Sequence, residues 1–188
     1  MRHSANVRLR GEVVATCKSG SHSFRKGPCT SINLVAGLGV EGDAHAGATV
    51  QNRYLARKNP AAPNRRQVHL FSAELLMQLS AVQDRIEPGS LGENITVRGV
   101  DLSALPRGTR LAIGATAILE LTGLRDPCKQ LDKFRRGLMK ALLVRDAKGK
   151  ITSKAGVMTI VITSGEVTPG DPCTVELPST PHVPLEAI

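Results

Sequence analysis

Apolar residues occur along this chain in short runs separated by Gly, Pro and Asp. Runs of four to eight apolar or β-branched residues bounded by turn formers read as strands. Eight are expected: Glu12 to Thr16, Ser31 to Val35, Gln67 to Phe71, Asn94 to Val97, Arg110 to Ile113, Ala117 to Thr122, Val157 to Thr163 and Cys173 to Leu177. Gly114 supplies the turn between the fifth and sixth. Val157 to Thr163 is the most β-branched run and ends at Ser164-Gly165, a turn signal.

Two stretches carry helical spacing. Ser72 is a candidate N-cap for a segment with Leu75, Leu76 and Leu79 on one side. Lys129 to Val144 places Leu131, Phe134, Leu138 and Leu142 at helical intervals, and Gly137 divides it into two short pieces. Gly37 to Thr49 is too glycine-rich for a regular element, and Asn59 to Asn64, with Pro60 and Pro63, reads as an exposed loop. The segment from Pro178 onward, with Pro181 and Pro184, reads as an extended tail lying over the surface. No internal repeat or dividing linker is visible. The expected architecture is one all-β domain over residues 1–188, barrel or sandwich, with a few short helices and a tail at 178–188.

Composition narrows the classes. Aromatics are 2% of the chain (Phe24, Phe71, Phe134 and Tyr54), so the core must come from Val, Ile, Leu and Ala. A chain of this length hides roughly 70% of its unfolded surface, enough for a core without staples. No apolar run approaches the roughly 20 residues that span a bilayer. Met1 to Gly11 has no apolar signal-peptide core. The four cysteines are too few for a disulfide scaffold and form no C-x-x-C pair that would suggest a zinc knuckle. These features describe a soluble, cytoplasmic protein with reduced thiols and no membrane association. The net charge of +9 favours an anionic partner, although a solvated basic surface explains it as well. Aromatic poverty counts against nucleic acid, because binding single strands needs stacking faces.

One segment carries chemistry most clearly: Thr122-Gly-Leu-Arg-Asp-Pro-Cys-Lys-Gln-Leu-Asp. A strand ends at Gly123, and a helix is expected to begin near Pro127 with Asp126 as N-cap. That would put Cys128 in the first turn, flanked by Arg125 and Lys129, where free amides and positive charge favour a thiolate. A thiolate there can act as nucleophile, persulfide carrier or soft-metal ligand. A free cysteine is more often a small core filler, and Cys17 and Cys173 are read that way, while Cys29 stays ambiguous.

Gly37-Leu-Gly-Val-Glu-Gly-Asp-Ala-His-Ala-Gly could turn exposed amides toward an anion, or could be a self-satisfied turn network. Its G-x-G-x-x-G match to a dinucleotide fingerprint needs a following helix that the sequence does not offer. Asp43 and His45 share one side of this segment if it is extended. Gln67, His69 and Phe71 would share one strand face, where His69 is either a hydrogen-bonded core residue or a ligand. Glu93 reads as a general acid or base or, the favoured reading, as a loop anchor, and Asn94 as a source of directional amide bonds.

Taken in order, six segments resemble the MOSC family, the domain named for the C-terminal part of molybdenum cofactor sulfurases. They are Gly39-Val-Glu-Gly-Asp-Ala-His-Ala-Gly, Arg66-Gln-Val-His-Leu, Pro88-Gly-Ser-Leu-Gly-Glu-Asn-Ile-Thr, Leu105-Pro-Arg-Gly-Thr-Arg-Leu, Thr122 to Leu131 and Gly165-Glu-Val-Thr-Pro-Gly-Asp. The set resembles most the bacterial stand-alone members linked to resistance against N-hydroxylated purines. The resemblance implies a barrel-like β fold and one functional cysteine, matching Cys128, that carries sulfur or ligates molybdenum. It also implies that Lys26, Asp43, His45, His69, Asn94 and Arg125 line a pocket for molybdopterin. The chain contains no pyridoxal-phosphate desulfurase domain and no ferredoxin or flavin module, so it is expected to need a partner.

The leading expectation is a molybdenum-cofactor reductase of N-hydroxylated bases or related small molecules, with Cys128 on the metal and an external electron-donor protein. The alternative is a persulfide sulfur carrier served by a cysteine desulfurase. A lesser one is a non-enzymatic basic barrel that binds nucleic acid. Homo-oligomer formation is left open.

Overall fold

The computed structural model describes residues 9–82, 86–145 and 149–188. Most of the amino-terminal stretch read above for a signal core lies outside these. In chain order the elements are β1 (Arg10–Lys18), β2 (Gly27–Cys29), β3 (Ile32–Val35), β4 (Gly39–Val40), α1 (Arg53–Lys58), β5 (Val68–Ser72), α2 (Ala73–Val82) and β6 (Ile95–Arg98). After a 3-10 turn at Leu102–Ala104 come β7 (Arg110–Ile113), β8 (Ala117–Leu124), α3 (Lys129–Phe134), α4 (Leu138–Ala141), β9 (Leu143–Arg145), β10 (Ile151–Ser153), β11 (Val157–Thr163), β12 (Gly165–Val167) and β13 (Pro172–Glu176). Each of the expected strands forms. The unforeseen strands β2, β4, β9, β10 and β12 hold two or three residues each, too few to show a period.

Seven strands close into a barrel in the order β13-β7-β8-β11-β5-β6-β1, with β1 returning to pair with β13. All neighbours are antiparallel except β5 and β6, which run parallel. A parallel pair needs a crossover, and α2 supplies it. Ser72 caps α2 by accepting a bond from the Leu75 amide at 3.2 Å, as its place in the sequence predicts. Register shifts at Val13/Ala15, Met158/Thr159 and Val161/Thr163 mark the irregularities that let a sheet curve shut. The barrel is filled by aliphatic side chains such as Val13, Leu70, Ile95, Val97, Leu111, Leu119 and Val157. A second cluster, Phe71, Leu76, Leu79, Ile86, Leu91, Leu131, Leu138, Leu142 and Ala155, packs α2, α3 and α4 outside it. Gly137, at φ 84°, caps α4 and splits the helical stretch where the sequence suggested.

Two local expectations change. Cys17 lies inside β1 rather than after it. Asn64, assigned to an exposed loop, is buried, and its Nδ2 donates to the main-chain oxygens of His45 (2.9 Å) and Gly47 (3.0 Å). It therefore staples the glycine-rich loop to the approach of β5.

The segment beyond Pro178 forms no helix or strand, bends at 179–181 and is anchored at its end. Leu185 enters the barrel core. The Leu124 amide donates to the Glu186 oxygen at 2.7 Å, and Ala187 bridges Leu124 in parallel. A Cβ at Gly123 would fall 2.6 Å from Ile188 Cγ2 and 2.7 Å from the Glu186 oxygen. Gly123 thus clears the path by which the tail reaches the end of β8. Gly123→Val is expected to cost about 1–3 kcal/mol through overpacking. Hydrogen exchange should speed at Leu124 and Ile188 while β5 and β11 amides stay protected; unchanged exchange at Leu124 would show that the tail does not depend on this glycine.

Candidate functional site

The barrel register aligns one residue from each of five adjacent strands or their leads at one rim. Gly123 of β8 faces Met158 of β11, and Met158 faces His69 of β5. The Asn94 amide donates to the His69 oxygen, and the Cys17 amide to the Asn94 oxygen, each at 2.8 Å. Above this row the loops after β1, before β5, before β6 and after β8 enclose a cavity of ≈ 430 Å3. Lys26, His45, His69, Asn94, Arg125 and Cys128 all line it. Asp43 does not reach the cavity and stands directly behind it.

Asp43 is the hub of this wall. Its side chain is 1% exposed. Oδ2 accepts from Lys26 Nζ (2.7 Å), Asn94 Nδ2 (3.0 Å) and the Ser19 amide (3.2 Å). Oδ1 accepts from the His45 amide (2.9 Å) and lies 3.2 Å from His45 Nδ1. Burial opposes ionisation of Asp43, but the His45 bonds and the Lys26 ammonium outweigh it and hold the carboxyl well below its usual range. Burial draws Lys26 downward while Asp43 opposes that shift. Two ionic groups that are both shut away from water persist only as such a pair. The pair fixes the Lys26 ammonium at the cavity wall.

The glycine-rich loop resolves as a turn network. The amides of Glu41, Asp43, Ala46 and Gly47 donate to the oxygens of Asn33, Val40, Asp43 and Leu38. They are spent on the chain itself rather than presented to an anion.

His69 is 4% exposed, and its Nε2 lies 2.9 Å from the Ala155 oxygen. A carbonyl only accepts, so Nε2 carries the proton. Burial, with help from Arg125, pushes the ring well below its usual range and keeps it neutral. Asn94 is fully employed: Oδ1 accepts from the His69 amide at 3.2 Å, and Nδ2 donates to Cys17 O and Asp43. Glu93 is completely buried and receives the amides of Gly89 (2.7 Å) and Leu91 (3.1 Å), which makes it a loop anchor.

Cys128 is half-buried, and its position differs from expectation. The chain stays extended after β8 because the Arg125 amide bonds Gly156 O (2.9 Å) and Ser153 Oγ bonds Arg125 O (2.8 Å). The helix α3 therefore starts at Lys129, not near Pro127, and Cys128 rather than Asp126 is its N-cap. The thiol makes no capping bond; it points at Gln130 Oε1, 3.5 Å away. The charged neighbours it shares the cavity with are Arg66, Arg125 and Asp126. Arg125 Nη1 donates to Leu91 O at 2.6 Å, and its guanidinium lies 5.9 Å from the Phe24 ring centre. Arg66 Nη1 donates to Ile188 O at 2.9 Å.

Arg66, Asn52, Tyr54, Gln130 and Ile188 join the cavity without having been singled out as site residues. Arg66 had a signal, its place three residues before His69 in the same run. Ile188 had none, since only the tail's path brings it there.

The other thiols divide cleanly. Burial pushes Cys17 and Cys173 up to about 12, so both are protonated at neutral pH. Cys29 and Cys128 are partly accessible. Iodoacetamide at neutral pH should label Cys29 and Cys128 and spare Cys17 and Cys173 until denaturant is added, as mass mapping will show. Asp43→Asn leaves the Lys26 ammonium without its carboxylate and should cost about 3–5 kcal/mol. Asp43 stabilises the fold above its unfolded value of about 3.9 and loses that contribution as pH falls toward its lower folded value. The variant should therefore flatten the acid limb of stability against pH; an unaltered limb in denaturant titrations would refute the assignment.

The MOSC domain family model matches residues 41–174, more than half of the chain. Among solved structures, the YuaD protein from Bacillus subtilis is 26% identical, with 92% of this chain and 98% of that one covered and a TM-score of 0.72. YiiM from Geobacillus stearothermophilus is 17% identical over 94% of this chain and 78% of its own, with a TM-score of 0.59. YiiM from Escherichia coli is 18% identical over 92% of this chain and 73% of its own, with a TM-score of 0.58. The two YiiM structures share the fold. None of the curated proteins compared with the chain matches it. Among the described residues no helix is long and apolar enough to cross a membrane. With a closed β barrel, a family match through its centre and a full-length structural likeness to YuaD, the chain belongs to the MOSC domain family, which is associated with the molybdenum cofactor.

Proposed function

We propose that this protein binds molybdopterin in the rim cavity, with Cys128 as thiolate ligand to molybdenum, and reduces N-hydroxylated bases or related compounds. The observation that carries the reading is that Cys128 shares one cavity with Lys26, Arg66 and Arg125. The donor set fits this group. Among the described residues no cluster of three His, Cys, Asp or Glu side chains exists to hold a metal unaided. One soft sulfur suits a metal that arrives with sulfur ligands of its own. Three cations suit an anionic phosphate. The volume falls within the usual range for small-ligand sites.

When bound, the cofactor supplies two-electron reduction. Overall, an N–OH group takes two electrons and two protons, the N–O bond breaks, and an N–H group and water leave. The chain positions the participants. Arg66 and Arg125 line the cavity with Cys128 and put positive charge on the side from which an anionic group would enter. Lys26, held by Asp43, offers its charge to the phosphate. His69 is neutral with its Nε2 proton committed to Ala155, so it shapes the wall rather than delivering a proton. His45, with Nδ1 held by Asp43, keeps Nε2 for proton exchange.

Protein from a cofactor-competent host should contain molybdenum and pterin in stoichiometric amounts and reduce 6-hydroxylaminopurine with a chemical reductant. Cys128→Ser should lower that rate by at least about 100-fold. Equal turnover in the variant would reject the reading. Sulfane sulfur on Cys128 in molybdenum-free protein would assign a sulfur carrier instead.

A further inference from the structure

The net charge is concentrated in one excursion. Residues 129–154 hold nine of the 25 Lys and Arg but only two of the 16 Asp and Glu, which is seven of the nine net positive charges. The remainder of the chain is nearly balanced. Lys129, Lys133, Arg136, Lys140, Arg145 and Lys154 are all exposed. Asp132, the acidic residue described among them, is engaged by the Met139 amide at 2.9 Å. Concentrated like charge repels itself and steers an oppositely charged surface toward this side of the molecule.

Apolar side chains lie among these charges. In the β9–β10 ribbon Leu143 is 36%, Val144 40% and Ile151 53% exposed. The ribbon is a separate two-stranded sheet, outside the barrel. The ribbon register puts Leu143, Arg145 and Ile151 on one face and Val144 on the other, so two exposed aliphatic groups sit beside a cation, a mixture that protein interfaces use. Phe134 is the single aromatic of the excursion. Its ring packs against Phe24 with centroids 5.8 Å apart and has Arg25 at 5.7 Å and Arg135 at 5.8 Å. One partly buried ring, already in contact with Phe24, Arg25 and Arg135, is a poor platform for stacking bases, which favours a protein over a nucleic acid.

The face adjoins the cavity. Helix α3 begins at the residue after Cys128 and is about 9 Å long at 1.5 Å per residue. Phe24 lines the cavity and also packs on Phe134.

We propose that the face formed by α3, α4 and the β9–β10 ribbon docks an acidic electron-carrier protein that reduces the centre bound beside Cys128. This rests on the reductase reading above, which requires two electrons from outside the chain. A one-electron carrier delivers them in two encounters, becoming oxidised each time, while solvent supplies the two protons. Such encounters are small and electrostatically steered, so charge governs how fast they form.

The test uses an acidic [2Fe–2S] ferredoxin as probe and measures its dissociation constant by calorimetry on cofactor-free protein. Wild type should bind, and binding should weaken as salt rises. Lys133→Glu/Arg136→Glu/Lys140→Glu should weaken it at least about 10-fold, whereas Arg10→Glu/Arg57→Glu/Arg107→Glu, with the same charge change, should stay within about twofold. Leu143→Ser/Ile151→Ser, with every charge kept, should also weaken it. Circular dichroism melting confirms that each variant is folded. Equal losses in the two charge-reversed proteins, or no binding by wild type, would overturn the proposal. A DNA oligonucleotide that binds through the same three residues and displaces the ferredoxin would overturn it in favour of nucleic acid. The result is independent of cofactor loading. Molybdenum-free protein would sink the reductase reading, and full molybdenum without ferredoxin binding would sink the docking face.

Discussion

The barrel closes because β1 pairs along both of its edges. Its first residues, Arg10 to Glu12, pair with β13, while Glu12 to Thr16 pair with β6 and Thr16 to Lys18 with β2. One nine-residue strand thus joins the two ends of the sheet and leaves the barrel without an open edge. Closure also fixes register, because a slip by one residue would turn every barrel-facing side chain outward. The row from Gly123 through Met158, His69 and Asn94 to Cys17 follows from that register. The rim that carries the cavity is a consequence of closure, and no single loop builds it.

The cavity's basicity follows from how the nearby acids are used. Asp43 accepts from three side chains and two amides. Glu93 is satisfied by two amides. Neither carboxylate presents an oxygen to the cavity; the acid that does line it is Asp126, one carboxylate against the three cations Lys26, Arg66 and Arg125. Lys26, Arg66 and Arg125 do present their charge, each tied by one bond to a fixed acceptor. The tie costs little of the guanidinium's capacity, since an Arg has five donors. Preorganised cations of this kind bind an anion without paying again for their ordering.

Strand identity was legible in the sequence wherever a run exceeded four residues, as in β11 and β8. It was not legible in β2, β4, β9, β10 and β12, whose two or three residues leave no period, and the partner of β12 also lies far along the chain. The β3–β12 pair joins Ile32 to Val167. Cys128 was singled out from its turn-rich, basic context at the end of a strand, and the structure places it in the rim cavity. Its expected place in the first turn of a helix was wrong. Local rules put a helix start at Asp126-Pro127, but the bonds from Arg125 to Gly156 and from Ser153 to Arg125 hold the chain extended past that point. Tertiary pairing overrode the local capping signal.

That override alters what surrounds the thiol. A cysteine in the first turn of a long helix would owe its charge state to free amides. Here the following helix has six residues and the thiol does not cap it. The positive field comes from Arg66, 62 positions earlier in the sequence, and from Arg125, whose side chain crosses to Leu91 O. Arg66 is in turn oriented by Ile188 O at the far end of the tail. The tail reaches that point because Gly123 has no side chain and Leu185 is seated in the core. The environment of Cys128 is therefore set by parts of the chain that meet only in the closed barrel with its tail docked.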